Sequence, residues 1–463
     1  MDKENDHDAS SSGAIIIVAD TEPTVQPWPA RGAAYYALTV IILATLLNFL
    51  DAQVFGMMAQ RIKVDFKLTD EQLGFLIGPA NIIFYVLIGI PMARLVDIYP
   101  RKIVLACGIA AIGGITALGG LAQSFRQLFS SRMLVGAGGS AHAPGAYSIL
   151  ADYFSPMRLP RAIGFLQLGF IGGNALGIFL GGQLISLAAA WPVSEWMGLS
   201  IHGWQWILMM VGAPGLVISC LLLLMKEPPR RGTAHGKYKP LPVLAVVREM
   251  RARKAIYLPL FIGLAFSATE SIGMLPWRAP FLIRTYGWNE AKIGKWMGLM
   301  FLVSSLMGAA FGTVFVEWLS KRYKDANVRA SAILFAAAAP FEILAPLMPC
   351  GGLSLLCLGA AGVCGLASAV PQNAAIQRIT PNEMRGQVTA IYLFMFIVFG
   401  ALGSQLIGSI TQRVFSDGEL WKSIVLTASI LMPLAAFAIS RGIKPYGREV
   451  ERLDAIEEGL AKG

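Results

Sequence analysis

The chain has 463 residues, of which 55% are hydrophobic and only 14% are charged. A soluble globule of this composition would have too little polar surface, so a soluble protein is excluded and an integral membrane protein is predicted. Basic loops at the membrane surface account for the net charge of +10, which therefore requires no nucleic acid partner.

Twelve long apolar segments follow a polar N-terminal stretch, and each is long enough to cross a bilayer as a helix. Unbroken runs of this kind predict an all-α membrane protein. The predicted spans are 36–60, 71–93, 102–122, 126–151, 161–187, 203–226, 255–283, 293–318, 328–348, 351–378, 386–413 and 421–440.

Lys and Arg are concentrated in alternate loops, which stay on the cytoplasmic side by the positive-inside rule. We therefore predict a multi-pass protein of the cell inner membrane with both termini cytoplasmic. The longest basic loop divides the spans into six and six. The predicted divisions are a disordered cytoplasmic tail at 1–34, a first six-helix bundle at 35–226, a basic cytoplasmic linker at 227–254, a second bundle at 255–440 and a cytoplasmic tail at 441–463.

The two halves of the chain repeat a short pattern at matching places. SPMRLPRAIG at 155–164 precedes the fifth span and TPNEMRGQVT at 380–389 precedes the eleventh, and each of these spans contains Ala-Leu-Gly. A parallel repeat of two bundles places a substrate site between them near the membrane midplane. Glycines at every fourth position from Gly169 to Gly181 predict close helix packing in the fifth span.

Two of the acidic residues within predicted spans are candidates for a function. Asp51 lies in NFLDAQVFG at 48–56, and Glu270 lies in the seventh span, eight residues before Arg278. A charged side chain at a bilayer centre costs roughly 3 kcal/mol on insertion scales, so such residues usually face a wet cavity and serve a function. Eight residues correspond to about 12 Å along a helix, on nearly the same face.

The loop after the second span carries a recognisable pattern. ARLVDIYPRK at 93–102 resembles the signature loop of the major facilitator superfamily. The resemblance implies that Asp97, Arg101 and Lys102 form a charged latch that opens when the two halves rock apart. A weaker copy after the eighth span, TVFVEWLSKR at 313–322, has Glu317 in the place of the acid.

The fourth span extends the resemblance. Residues 132–154 are similar to the Arg-x-x-x-Gly-x-Gly pattern of that superfamily, in which the Arg, here Arg132, is often tied to coupling. The resemblance covers 35–440 and implies twelve helices in two six-helix bundles, the major facilitator fold. Four segments look like the spinster-like branch, whose members include sphingolipid and lysophospholipid transporters: 48–56, 68–74, 151–156 and 381–386.

The chain departs from that branch at charged positions. Ala52 stands where the branch commonly has Arg, Gly139 where it has Glu, and Gln205 where it has Arg. Proton coupling therefore depends on fewer groups. A carboxylate in a low-dielectric cavity is harder to ionise and a nearby Arg opposes this, so opening and closing the cavity can load and release a proton. Asp51 with Arg132 is the first candidate for this switch, and Glu270 with Arg278 is the second.

Structural alternatives stay open for each of these groups. Asp51 could be a permanent ion pair that fixes helix packing, and Arg132 could brace loops near the outer face. His142 could be a neutral residue hydrogen-bonded within the bundle. Glu270 could be solvated at the end of a tilted span. Glu342 is expected to lie at a membrane edge and not in the cavity. The same position at a membrane edge is the alternative for Arg278.

The sequence thus predicts a secondary active transporter that moves an anionic, amphipathic or aromatic organic solute and couples this transport to protons. Its expected partners are this solute, protons and the lipid bilayer, and it is expected to be a monomer. A uniporter, an exchanger and a lysolipid transporter without proton coupling remain alternatives. A lipid-modifying enzyme is not favoured, because no catalytic, metal-binding or phosphate-binding motif occurs, and no cofactor is expected. The predicted substrate-cavity residues are Phe84, His142, Trp277, Arg278, Phe394 and Phe396.

Overall fold

The computed structural model describes residues 28–196, 198–230, 243–381, 384–415 and 419–462. Within these residues the chain is almost entirely helical. The helices are α1 Arg31–Asp65, α2 Asp70–Ile77, α3 Pro79–Ile98, α4 Arg101–Gly119, α5 Phe125–Gly139, α6 His142–Tyr153, α7 Leu159–Ala188, α8 Gly203–Leu224, α9 Val243–Ala252, α10 Lys254–Met274, α11 Arg278–Tyr286, α12 Glu290–Ser320, α13 Ala326–Leu344, α14 Gly351–Ile379, α15 Arg385–Arg413 and α16 Leu420–Lys462.

Two short strands, β1 Ser194–Trp196 and β2 Leu199–Ile201, pair antiparallel between α7 and α8. Most of the predicted N-terminal tail, residues 1–27, and the middle of the predicted linker, residues 231–242, lie outside the described residues. Residues 441–462, predicted as a tail, continue α16 as helix. Asp454 on this extension lies 2.5 Å from Lys324 and 2.6 Å from Arg378, and its hydrogen bond raises the pKa of the Lys324 ammonium.

Eleven helical segments in the described part of the chain are long and apolar enough to cross a membrane. The one remaining predicted span, 126–151, consists of α5 and α6, which meet at Ser140 and Ala141. These helices have 15 and 12 residues, so neither is long enough alone. Together they supply the twelfth crossing.

Two further spans are interrupted. The second span divides into α2 and α3 at Gly78, and the seventh divides into α10 and α11 at the 3₁₀ turn Leu275–Trp277. Pro276 lies in that turn and has no backbone N–H to continue the α-helical ladder. Interrupted helices in transporters are typical of segments that line a binding site.

The glycine stripe of α7 packs against α1 within the same half of the molecule. A Cβ atom on Gly173 would lie 2.6 Å from the Leu46 carbonyl oxygen, and one on Gly177 would lie 2.8 Å from the Leu50 Cα. Larger residues at these positions would force the two helices apart. The stripe therefore holds the N-terminal half, α1 to α8, together.

The two halves, α1 to α8 and α10 to α16, meet toward one end of the bundle. We call this the Asp70 end, after the first residue of α2, and the opposite end the Asp97 end. A Cβ atom on Gly182 of α7 would lie 2.6 Å from the Cα of Gly294 on α12, so the two backbones touch. One cluster of buried apolar residues crosses between the halves here, whereas separate clusters fill each half toward the Asp97 end.

Candidate functional site

A cavity of about 520 Å³ lies between α7 and the C-terminal half. Its wall is mainly apolar, and Phe170 on α7 faces Leu264, Met300 and Phe396 from the other half. Polar side chains supply the smaller part of the wall and come from several helices, as is usual for a small-molecule site. The polar residues on the wall are Gln167, Ser267, Ser271, Arg278, Ser304, Ser305, Glu342, Ser368, Gln372, Asn373 and Tyr392.

The cavity brings Arg278 together with Glu342, and Glu270 interacts electrostatically with both. All three side chains are buried, with exposed fractions of 6%, 3% and 1% in that order. The expectation that Glu342 lies at a membrane edge is wrong, because α13 directs it inward to the cavity wall. Sequence reasoning missed it since the residue stands near the end of its predicted span, where charged groups usually meet water.

Asp51 and Arg132 are paired inside the N-terminal half. The Asp51 Oδ2 atom lies 3.2 Å from the Arg132 Nη1 atom, and Arg132 Nη2 donates to the Thr116 hydroxyl at 3.1 Å. The guanidinium also stacks on the ring of Phe55, 4.4 Å from its centroid. Residues of two helices, α1 and α4, thus position Arg132, which lies on α5. The Asp51 Oδ1 atom has no hydrogen-bond partner among the described residues.

His142 lies at the start of α6, buried in the N-terminal half, and does not line the cavity described above. Its Nε2 atom lies 2.8 Å from the hydroxyl of Thr45, which donates its own proton to the Ile41 carbonyl. A hydroxyl has one proton to give, so Nε2 must be the donor to Thr45. This contact ties α6 to α1.

Of the predicted cavity aromatics, Phe396 lines the cavity. Trp277 does not line it: this residue is fully buried and its Nε1 donates to the Ser404 carbonyl at 2.9 Å, where the halves meet. Phe84 and Phe394 are also not among the described residues of the cavity wall, and Phe394 is 49% exposed. Hydrophobicity alone did not reveal which helix face each of them occupies.

A set of ion pairs that the sequence did not predict joins the halves at the Asp70 end. Asp70 is fully buried, and both of its carboxylate oxygens accept from Arg284 on α11, at 2.7 and 2.8 Å. Arg61 pairs with Glu290 at 2.7 Å. Glu71 pairs with Arg413 at 2.5 Å on the exposed rim. The partners are more than 200 residues apart, so no local pattern reveals them.

The predicted latch at the Asp97 end is arranged within one half. Arg101 is buried and pairs with Asp152 and with Glu227, the latter at 3.0 Å. The Lys102 Nζ atom donates to the Met225 carbonyl at 2.9 Å. Asp97 and Glu317 are exposed, and no ion pair of either carboxylate occurs among the described residues. Charged contacts between the halves therefore lie at the other end.

No cluster of His, Cys, Asp or Glu that could hold a metal ion occurs within the described ranges. What the arrangement offers is a cavity between two halves, one guanidinium on its wall, buried carboxyl groups and a contact at one end. These are features of binding and conformational exchange.

Comparisons with known proteins agree with this geometry. Residues 41–404 match the family described as Major Facilitator Superfamily. A protein of Mycolicibacterium smegmatis named MFS-type efflux pump is 25% identical over 441 residues, covering 93% of this chain and 97% of that protein. The Drosophila melanogaster protein spinster is 22% identical over 395 residues, covering 82% of this chain and 62% of its own length.

Solved structures show the same fold. A bacterial homolog of the human lysosomal transporter Spinster, in an inward-facing and unoccupied conformation, superposes with a TM-score of 0.75 at 23% identity, covering 91% of this chain and 98% of that one. The predicted twelve-helix fold and the spinster-like resemblance are confirmed, as is the prediction of a transporter rather than an enzyme. This chain belongs to the Major Facilitator Superfamily, with the spinster proteins among its relatives.

Proposed function

We propose that this protein moves an amphipathic or aromatic organic anion across the cell inner membrane by alternating access, coupled to protons. The observation that carries the proposal is the largely apolar cavity between the halves with one guanidinium, Arg278, on its wall. The Nε atom of Arg278 has no hydrogen-bond partner among the described residues. Apolar walls suit the body of such a solute, and a guanidinium suits its carboxylate, sulfonate or phosphate group.

The charge pattern supports an orientation for this transport. The Asp97 end carries the loops rich in Lys and Arg, so by the positive-inside rule it is the cytoplasmic end. The first described helix begins at Arg31 and the last ends at Lys462, both at this end, which supports cytoplasmic termini. The contacts at the Asp70 end then close the outer side, and the cavity is reached from the cytoplasm.

Proton coupling requires a group whose charge changes with access to water. Asp51 with Arg132 is one candidate and Glu270 is another, in keeping with their burial. Phe55 stacks on Arg132, and the next residue, Gly56, would place a Cβ 3.8 Å from Pro276 in the turn before Arg278. The two candidates thus lie on either side of one contact between the halves.

A uniporter, an exchanger or a lysolipid carrier without proton coupling is the second candidate function. The observation that favours it is Gly139, where the spinster-like branch commonly has Glu. A Cβ there would lie 3.8 Å from the Asn48 amide oxygen, one helical turn from Asp51. An acid that elsewhere in the branch would stand beside Asp51 is thus missing from this chain.

Uptake by proteoliposomes tests the proposal. We would assay aromatic carboxylates, aromatic sulfonates and lysophospholipids, each with a neutral analogue, with and without an imposed pH gradient. Anions should accumulate when the gradient is imposed, and Arg278→Gln should reduce their transport at least tenfold because the anionic group loses its partner. Arg441→Gln, at an exposed position on α16, is the matched control.

The outcomes separate the candidates. Equal transport of neutral analogues and anions, with no effect of Arg278→Gln, would exclude an anion carrier. Anion transport that ignores the pH gradient, together with normal transport by Asp51→Asn, would exclude proton coupling and leave the uniporter or exchanger.

A further inference from the structure

We propose that Glu270 and Glu342 share one proton beside Arg278, and that an organic anion pairing with Arg278 draws a second proton onto these two carboxyl groups. This inference rests on the anion transport proposed above. It assigns the coupling to a group of residues in the C-terminal half and gives it a ratio, one proton for each anion. Glu342 is the member that sequence reasoning placed elsewhere.

Glu270 and Glu342 differ from the other buried acids in the described ranges. Neither Glu270 nor Glu342 has a Lys, Arg or His nitrogen within 4.0 Å among the described residues, and one carboxylate oxygen of each has no hydrogen-bond partner there. Every other buried acid in the described ranges has such a cation. The pairs are Asp51 with Arg132, Asp70 with Arg284 and Asp152 with Arg101.

The local charge comes from two carboxyl groups and one guanidinium. Glu270 on α10 interacts electrostatically with Glu342 on α13 and with Arg278 on α11, and Glu342 interacts with Arg278. The only other polar contact of the Glu270 carboxylate in the described chain is a donated hydrogen bond from the Ser271 hydroxyl at 3.2 Å. Tyr392 on α15 is the titratable group that shares the cavity wall, and its hydroxyl donates to Gln372.

One guanidinium compensates one carboxylate. A second ionised carboxylate in this buried position would be uncompensated, which is unfavourable, so it is neutral and holds a proton. Because the two acids interact, the proton belongs to the pair and not to either residue alone. The resting group therefore carries one negative charge, one positive charge and one proton, with a net charge of zero.

A bound anion changes the charge balance of this group. When a sulfonate, carboxylate or phosphate monoanion pairs with Arg278, the guanidinium compensates the charge of this anion and no longer that of the ionised carboxylate. The net charge of the group becomes minus one. A proton from water in the open cavity then binds the remaining carboxylate and restores neutrality. The loaded site holds one anion and two protonated carboxyl groups. Release of the anion reverses the step, so anion and proton move together.

Helix α11 links the loaded site to the contact between the halves. Arg278 and Arg284 lie on the same short helix, α11, about 9 Å apart along its axis. Arg284 holds Asp70 of the other half. The 3₁₀ turn Leu275–Trp277 separates α11 from α10, so α11 can tilt without moving the rest of the seventh span. A change of partner at Arg278 thus acts on the helix that closes the Asp70 end.

Infrared spectroscopy of the purified protein tests the shared proton without any substrate. At neutral pH we expect the carbonyl band of a protonated carboxyl group. Glu270→Gln and Glu342→Gln should each remove the band, because the remaining acid then pairs with Arg278. Arg278→Gln should double the band, because neither carboxylate is then compensated and both hold a proton. Arg278→Lys keeps the positive charge and should preserve the band, which would show that the site tolerates substitution. Glu451→Gln, at an exposed position, should change nothing.

Proton uptake on binding tests the coupling. The probe is 2-naphthalenesulfonate, which stays ionised at all relevant pH values, and its neutral control is 2-naphthalenesulfonamide. With a pH-sensitive dye in weak buffer, we expect about one proton taken up for each sulfonate bound and none for the sulfonamide. The Glu270→Gln/Glu342→Gln double variant should bind the sulfonate without proton uptake.

The outcomes are distinguishable. A missing infrared band, or a band unaffected by both Glu variants, overturns the shared proton. Sulfonate binding without proton uptake overturns the coupling and leaves anion transport standing. If the sulfonate does not bind although the band behaves as expected, the anion specificity proposed above fails, and the coupling fails with it.

Discussion

Asp51 is held by Arg132 in a buried pair, and the two charges depend on each other. The pair lies inside the N-terminal half, with Thr116 and Phe55 completing the surroundings of the guanidinium. Breaking a buried pair by removing one partner is costly because it leaves the other charge uncompensated. Asp51 therefore contributes to the stability of the bundle whatever its role in coupling.

Replacing Asp51 by Ala should lower the free energy of unfolding by about 3–5 kcal/mol, since Arg132 would be left buried and unpaired. The Asp51→Ala/Arg132→Met double variant should be more stable than Asp51→Ala alone. Equilibrium unfolding in a fixed detergent and lipid mixture measures both. Asp97→Ala, at an exposed position, is the control and should change little. Additive losses in the double variant would mean that the two charges do not stabilise each other.

At the scale of the element, the contact between α7 and α12 depends on glycine. A Cβ atom on Gly182 would lie 2.3 Å from the Glu290 carbonyl oxygen, which is closer than side chains allow. The contact is made of backbone, so neither helix can adjust by changing a rotamer. A single methyl group at this point must move one half relative to the other.

Gly182→Ala should therefore separate the halves at the Asp70 end. Spin labels at Trp191→Cys and Gly352→Cys, on exposed positions of the two halves at this end, should report a longer distance than in the parent protein. The five native cysteines would first be replaced by Ser. Gly164→Ala is the matched control, because that glycine lies on the same helix with no atom within 4 Å of its Cβ position. An equal shift in both variants would contradict the prediction.

Hydropathy predicts where the membrane-spanning helices lie, but it does not predict their breaks or the direction of individual side chains. The twelve spans follow from length and apolar content, whereas the break at Ser140 and Ala141 and the inward direction of Glu342 do not. The pairing of Asp51 with Arg132 was anticipated from the charge inside an apolar span and from the resemblance that singled out Arg132. The pairing of Asp70 with Arg284 was not, because both residues stand at span ends and meet only through the packing of the two halves.

At the scale of the whole molecule, the ion pairs at the Asp70 end hold one of the two states that alternating access requires. Asp70 is buried and bonded to Arg284 through both oxygens, and Lys63 adds a third contact at 2.9 Å. A buried, bidentate pair between the halves favours the state in which they touch. The pair of Glu71 with Arg413 lies on the exposed rim, where ion pairs contribute little.

Asp70→Asn should raise the population of the state in which the Asp70 end is open. The reporter is Ser404→Cys, at a position now buried between the halves, in a background without native cysteines. Its labelling by a water-soluble maleimide should accelerate at least tenfold in Asp70→Asn, because Arg284 loses its carboxylate partner in the other half. Glu71→Gln removes a pair at the same end and should leave the rate within twofold. Equal rates in the two variants would exclude Asp70 as the group that closes this end.

The glycine contact also acts as a fulcrum. Gly182 lies six residues from the end of α7 at Ala188 and fifteen residues from Gln167 on the cavity wall, which are about 9 Å and about 22 Å along the helix. A lever with arms of these lengths moves its long end about two and a half times as far as its short end. A small parting at the Asp70 end therefore moves Gln167 about two and a half times as far in the opposite direction. The short ion pairs that close the Asp70 end thus also hold the far side of the cavity open.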